Sequence, residues 1–408
     1  MNFFPVALVL VFWATPVISG QDLENPRVLA ESNVGFAQIF NFDYDQAIDT
    51  FSRLRSQYPQ HPAPPLYMAI TLWQRELFER ENLDLDKLAT PDYFLERPKQ
   101  SMPVEARQKF TGLVEESRNL AEAALRRNPG DINVQYYLAT GYGVRAAFTI
   151  TVDHSKTQAL NYGKKSYELH RRIVSRDAQY YDSYMALGIY EYIVANLPWY
   201  AKWVANIAGY HGTQAGALKY LHLAVERGPR VADEARLILI VIYFRDAKFK
   251  DALALEDYLQ KKYPRSFNFP LTRAEILEKM GDKNEAVAEY ETVISKTNAG
   301  VPNYDKLKLS TARYFFGRKF LDLGRADLAL PQFLASIDDD RTPSREKTLS
   351  RLGSGQALDQ LGRRAAAVAQ YRQVLASADI EGSRSQAKTL MKRPYSPRDH
   401  QVERSVSR

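Results

Sequence analysis

The chain has 408 residues, 45% of them hydrophobic and 25% charged, with a formal net charge of +7 and no cysteine. This composition can bury a core and is not that of a disordered chain, and the length suits two or three domains or an extended repeat array better than one compact core. The absence of cysteine excludes disulfides, thiolate metal sites, a cysteine nucleophile and a lipoprotein anchor.

Residues 1–20, MNFFPVALVLVFWATPVISG, carry no charged side chain and end in small residues. The stretch reads as a secretory signal peptide cleaved after Ser19 or Gly20. It lacks the customary Lys or Arg before the apolar run, so an uncleaved membrane anchor is the alternative. The expected location is outside the cytoplasm, periplasmic or extracellular.

From Asn33 onward, apolar helical stretches alternate with short turns, and strand signals are nearly absent. The run ARLILIVIYF at 235–244 looks strand-like in isolation, but helical patterns flank it on both sides, which predicts a buried helix. Internal repetition dominates the pattern. Gly281, Gly324 and Gly362 each stand five residues before an alanine: Ala286, Ala329 and Ala367. Each alanine stands four before an aromatic: Tyr290, Phe333 and Tyr371. The glycine ends one helix, a turn follows, and the alanine marks a close helix crossing that the aromatic fills one turn later.

This register resembles the tetratricopeptide repeat, a helix–turn–helix unit with a further glycine twelve residues before the alanine. Gly35 and Ala47, Gly317 and Ala329, and Gly355 and Ala367 fit that spacing. Ala217 with Leu221 and Ala252 with Leu259 match the second helix, and YMALGIYEY (184–192) matches a first helix. The resemblance implies an all-α, right-handed α-solenoid of about eight helix–turn–helix repeats with insertions, over residues 28–379. The long middle units suggest halves at 28–177 and 178–379. The fourth unit carries a surplus of 17 residues between Gly188 and its alanine, the length of NLPWYAKWVANIAGYHG at 196–212. That segment could pack on the repeats, contact a ligand or partner, or touch a membrane; it is too short and broken to span one. Residues 380–408 read as a basic tail without regular structure.

Signals for chemistry are weak. The six histidines form no HExxH and no pair at i, i+4. GYGVRA (141–146) lies within a helical repeat and not between a strand and a helix, so it is no dinucleotide fingerprint. Asp338–Asp340 lack the further oxygen ligands that calcium requires. No nucleophile elbow or P-loop occurs. The expectation is therefore a protein that is not an enzyme, with no cofactor and no metal site. The resemblance implies instead a scaffold that holds a protein or peptide partner in its groove, with no specific nucleic-acid binding and with peripheral membrane contact as an alternative. It places Tyr136, Met185, Tyr192, Tyr314 and Arg318 on groove-facing positions, and Trp199 and Trp203 on the 196–212 insert. A small-ligand pocket or enzyme site beneath that insert is the remaining alternative.

Overall fold

The computed structural model describes residues 24–79, 102–197 and 211–396. Among these there are seventeen α-helices and no strand. They run as eight successive pairs. These are α1 (Pro26–Phe40) with α2 (Tyr44–Gln57), α3 (Ala63–Glu79) with α4 (Val104–Arg127), α5 (Ile132–Thr151) with α6 (Lys156–Arg176), and α7 (Asp182–Ala195) with α8 (Gln214–Arg227). Then come α9 (Ala232–Arg245) with α10 (Phe249–Lys262), α11 (Asn268–Met280) with α12 (Lys283–Asn298), α13 (Leu309–Asp322) with α14 (Ala326–Asp338), and α15 (Ser344–Gln360) with α16 (Arg364–Ala376). A last helix, α17, spans Ser383–Lys392. The chain is an all-α solenoid of tetratricopeptide-like pairs, and 235–244 is helical within α9.

The glycine–aromatic register explains why the pairs close. A methyl added at Gly317 on α13 would lie 2.5 Å from the Phe333 ring on α14. Only a residue without Cβ lets the two helices approach this far. Gly35 meets Phe51 and Gly355 meets Tyr371 in the same way. Gly188 meets Leu221, so Ala217 and Leu221 are the register residues of the fourth pair despite the 17-residue surplus. The aromatics of this register, Phe51, Tyr290, Phe333 and Tyr371, are all fully buried. Each such side chain contributes about 1.5–3 kcal/mol of burial free energy. The turns are equally specified. Gly324, after α13, takes φ +80°, a left-handed conformation that costs an L-residue energy. Asp131 and Thr213 cap α5 and α8 by accepting from the Val134 and Gly216 N–H groups, at 3.1 and 3.0 Å.

The packing divides into two compact units. The first holds the described residues up to 239 except 40–43; the second holds 40–43 and the residues from 240 on. The boundary falls within α9, not at residue 177 as the sequence suggested. The long third and fourth pairs are joined by buried polar contacts described below and stay within one unit. The tail also departs from expectation: Ser383–Lys392 forms α17, anchored by fully buried Ser383 and Ala387. Its apolar contact is brief, which is why the segment looked irregular. The inserts at 80–101 and 198–210, and residues 1–23, lie outside the described residues.

Candidate functional site

The densest polar constellation lies in the first unit, where the first helices of successive pairs begin. Arg230, in the turn before α9, is its centre, with its side chain 2% exposed. It donates to Glu24 Oε2 at 2.8 Å through one guanidinium nitrogen and to Asp182 Oδ2 through another. Its backbone N–H donates to Asp182 Oδ1 at 3.0 Å. The guanidinium also lies over Tyr136 and Tyr137, 5.4 and 6.0 Å from the ring centroids. Glu24 is shared further: Tyr137 Oη donates to it at 2.9 Å, and His61 Nε2 lies 3.3 Å from its other oxygen. Glu24, two residues before α1, is thereby tied to the second, third and fifth pairs.

The two carboxylates respond differently to this burial. Burial pushes the Glu24 carboxyl up, but the His61 hydrogen bond and the Arg230 charge outweigh it and hold the carboxyl below its ordinary value. Asp182 is completely enclosed, and burial lifts it above its ordinary value despite Arg230. Beside them, His170 Nδ1 lies 3.0 Å from Ser183 Oγ and its ring is edge-on to Tyr136. That spacing would suit a base and a nucleophile. Both side chains are buried, however, and burial drives the His170 pKa down to about 3. The cluster is a closed polar clasp, suited to fixing helix starts in register.

The residues expected to face a partner fall into separate groups. Tyr136 is 4% exposed, its ring enclosed by Tyr180, His170 and Arg230, so it offers no surface. Met185 and Tyr192, on α7, are half-buried, and Ile193 beside them is 50% exposed. Met185, Ile189 and Tyr192 follow four-then-three spacing and share one face of the helix. Tyr314 and Arg318 are in the second unit, one turn apart on α13 and both half-buried. The Tyr314 ring packs 6.3 Å from that of Phe333, and Arg318 donates to Gln356 at 2.8 Å and to Asp322 at 2.9 Å. Trp199 and Trp203 lie outside the described residues.

Sequence reading missed Glu24, Asp182 and Arg230, which no local pattern links. It also missed Glu256 on α10, for which a signal existed. Glu256 stands four residues after Ala252, at the register that elsewhere holds Phe51, Tyr290, Phe333 and Tyr371. It is fully buried, and neither carboxyl oxygen has a hydrogen-bond partner. Burial raises its pKa well above the ordinary value, with Asp257 and Glu289 adding to the effect and Arg273 opposing it. Among the described residues, no group of three or more acidic or histidine side chains is placed to hold a metal, and no helix is long and apolar enough to cross a membrane.

Helix pairs in this register, with the glycine–aromatic crossing repeated along the chain, have the form of tetratricopeptide repeats. Family models described as tetratricopeptide repeat match residues 33–61 and 271–295. No curated protein sequence matches the chain. Solved structures resemble the chain at low identity and low TM-score. Yeast Tom70 is 14% identical over 92% of this chain and 89% of its own, with a TM-score of 0.34. A Rap protein complexed with competence and sporulation factor is 12% identical over 93% and 99%, with a TM-score of 0.40. A thermophilic tetratricopeptide protein from Thermus thermophilus is 17% identical over 64% and 94%, with a TM-score of 0.19.

Proposed function

We propose that this protein is an exported, non-catalytic scaffold that binds a protein or peptide partner. The observation that carries this reading is α7. Its sequence, DSYMALGIYEYIVA, carries only two charged residues, yet its Met185–Ile189–Tyr192 face is only half-buried and Ile193 is 50% exposed. An apolar helix face left partly open is a surface for another molecule. The aromatic side chain supplies contact area there at modest entropic cost, and the flexible thioether adapts to an irregular partner surface. The leader-like residues 1–20 support export, and the partners then belong to the periplasm or the cell exterior.

The test is capture of partners from a native envelope extract by wild-type protein and by a Met185→Glu/Tyr192→Ala variant. The wild type is expected to retain a reproducible, mass-identified partner that the variant loses, with helical content and melting temperature unchanged. Equal retention by both proteins would refute the role of α7. Amino-terminal sequencing of the mature protein tests export, and an intact Met1 in the cytosolic fraction would overturn it.

A further inference from the structure

The solvent face of α6 carries a charge pattern that the scaffold reading does not use. Across its 21 residues, α6 has six basic side chains, Lys156, Lys164, Lys165, Arg171, Arg172 and Arg176, against one acid, Glu168. Its inward face is small or apolar, with Ala159, Ser166, His170 and Ile173 buried. Of the six cations, all but Lys164 are exposed. Glu168 has Lys164 and Arg172 four residues away on either side, so the lone carboxylate is offset locally. At 1.5 Å per residue the array extends about 30 Å. Such a charge density is complementary to an anionic surface.

The shape of this face selects among anionic partners. It is the outside of one helix, a ridge whose cations wrap about half the circumference, with Lys156 and Lys165 at its two edges and Arg171 and Arg172 between them; the long side chains at the edges can reach down to a flat surface. The tyrosines at its flanks are already engaged. Tyr162 stacks on Tyr142 at 6.5 Å with Arg145 over it, and Tyr167 stacks on Tyr190 at 3.9 Å. They leave no open pair of ring faces for unstacked bases, the usual platform for single-stranded nucleic acid. Leu160 is 41% exposed, one turn from Lys156 and one turn from Lys164, and places an apolar tip among the cations. Clustered Lys and Arg on an amphipathic helix with an apolar tip is the chemistry of an anionic lipid headgroup layer.

We propose that the solvent face of α6 docks on the anionic headgroups of a lipid bilayer, through Lys156, Lys165, Arg171 and Arg172 with Leu160 entering the headgroup layer. The contact is peripheral, screened by salt, and independent of the α7 surface and of residues 1–20.

The test is sedimentation of the full chain with vesicles of equimolar phosphatidylglycerol and phosphatidylcholine, beside vesicles of phosphatidylcholine alone. Wild type is expected to bind the anionic vesicles at least about tenfold more tightly, and to be released by high salt. A Lys156→Gln/Lys165→Gln/Arg171→Gln/Arg172→Gln variant, with unchanged helical content and melting temperature, loses that preference. Glu168→Lys strengthens it, and Leu160→Ser weakens it without changing the charge. Equal binding to both vesicle types overturns the proposal, as does an anionic preference that survives in the fourfold variant. Loss of binding to duplex DNA in the variant, without any vesicle preference in the wild type, would assign the face to nucleic acid and equally overturn it. Salt-resistant binding shared by wild type and variant belongs to residues 1–20 and likewise counts against α6. Partner capture by α7 is read separately, so either reading can fail alone.

Discussion

Glu256 occupies a position that the repeat pattern reserves for an apolar side chain. A buried carboxyl with neither oxygen partnered costs about 1–3 kcal/mol relative to a satisfied or apolar group. Glu256→Leu should therefore raise the stability of the second unit by about that amount at neutral pH, measured by urea unfolding. Glu256→Phe should gain less. Twelve residues before Ala252, where three other pairs have glycine, stands the buried Ile240, which leaves less room for a ring. A destabilised Leu variant would show that the carboxyl has a partner after all. The repeat register was legible at this site from Ala252 onward. The burial of the acid was not, because glutamate ordinarily marks a solvent face.

At the scale of the element, the repeat is written in residue pairs that sit twelve to sixteen positions apart, within reach of sequence inspection. That is why Gly317 with Phe333, and Gly355 with Tyr371, could be placed before any coordinates. Gly317→Ala should destabilise the second unit by about 1–3 kcal/mol, since its methyl would overlap the Phe333 ring. Gly324→Ala, whose Cβ meets nothing within 4 Å, should cost about 1–2 kcal/mol through its left-handed backbone alone. Combining Gly317→Ala with Phe333→Leu separates the two mechanisms: the smaller side chain should recover part of the loss at 317 and none at 324. Absence of any recovery would remove the close-approach account. What sequence could not show is the clasp around Arg230. Its members come from five turns and helix starts, and none of Glu24, His61, Asp182 and Arg230 belongs to a local pattern that links it to the others.

For the whole molecule, the two units contain buried groups with opposite pH preferences. His170, in the first unit, is held neutral by burial with its pKa near 3, against an ordinary value of about 6.5. Its contribution is complete above about pH 6.5 and is lost as the pH falls towards 3. Glu256, in the second unit, is held protonated, so its contribution is complete below about pH 4.5 and is lost as the pH rises through its raised value. Asp182, in the first unit, shares the preference of Glu256, so the His170 effect is read as a difference: in calorimetry between about pH 8 and 5 the first transition should fall more on acidification in wild type than in His170→Gln, while the second rises. His170→Gln should flatten only the first, and Glu256→Gln only the second. A first transition with the same pH dependence in wild type and His170→Gln would contradict this assignment. The boundary itself was misplaced from sequence, because long inserts were read as weak points while the buried contacts of Asp182 and Arg230 are visible only in three dimensions.

The clasp also imposes an order in time. Contacts in repeat arrays ordinarily join neighbours, so folding can begin anywhere and spread. Glu24 and Arg230 are separated by 206 residues. At about 5–20 residues per second, roughly 10–40 s pass between the synthesis of the two. During that interval the earlier pairs can stack, but Glu24 lacks the guanidinium that offsets its burial. Closure of the first unit thus waits for the turn before α9, and in a nascent chain halted short of it Glu24 has His61 and Tyr137 as partners but no guanidinium.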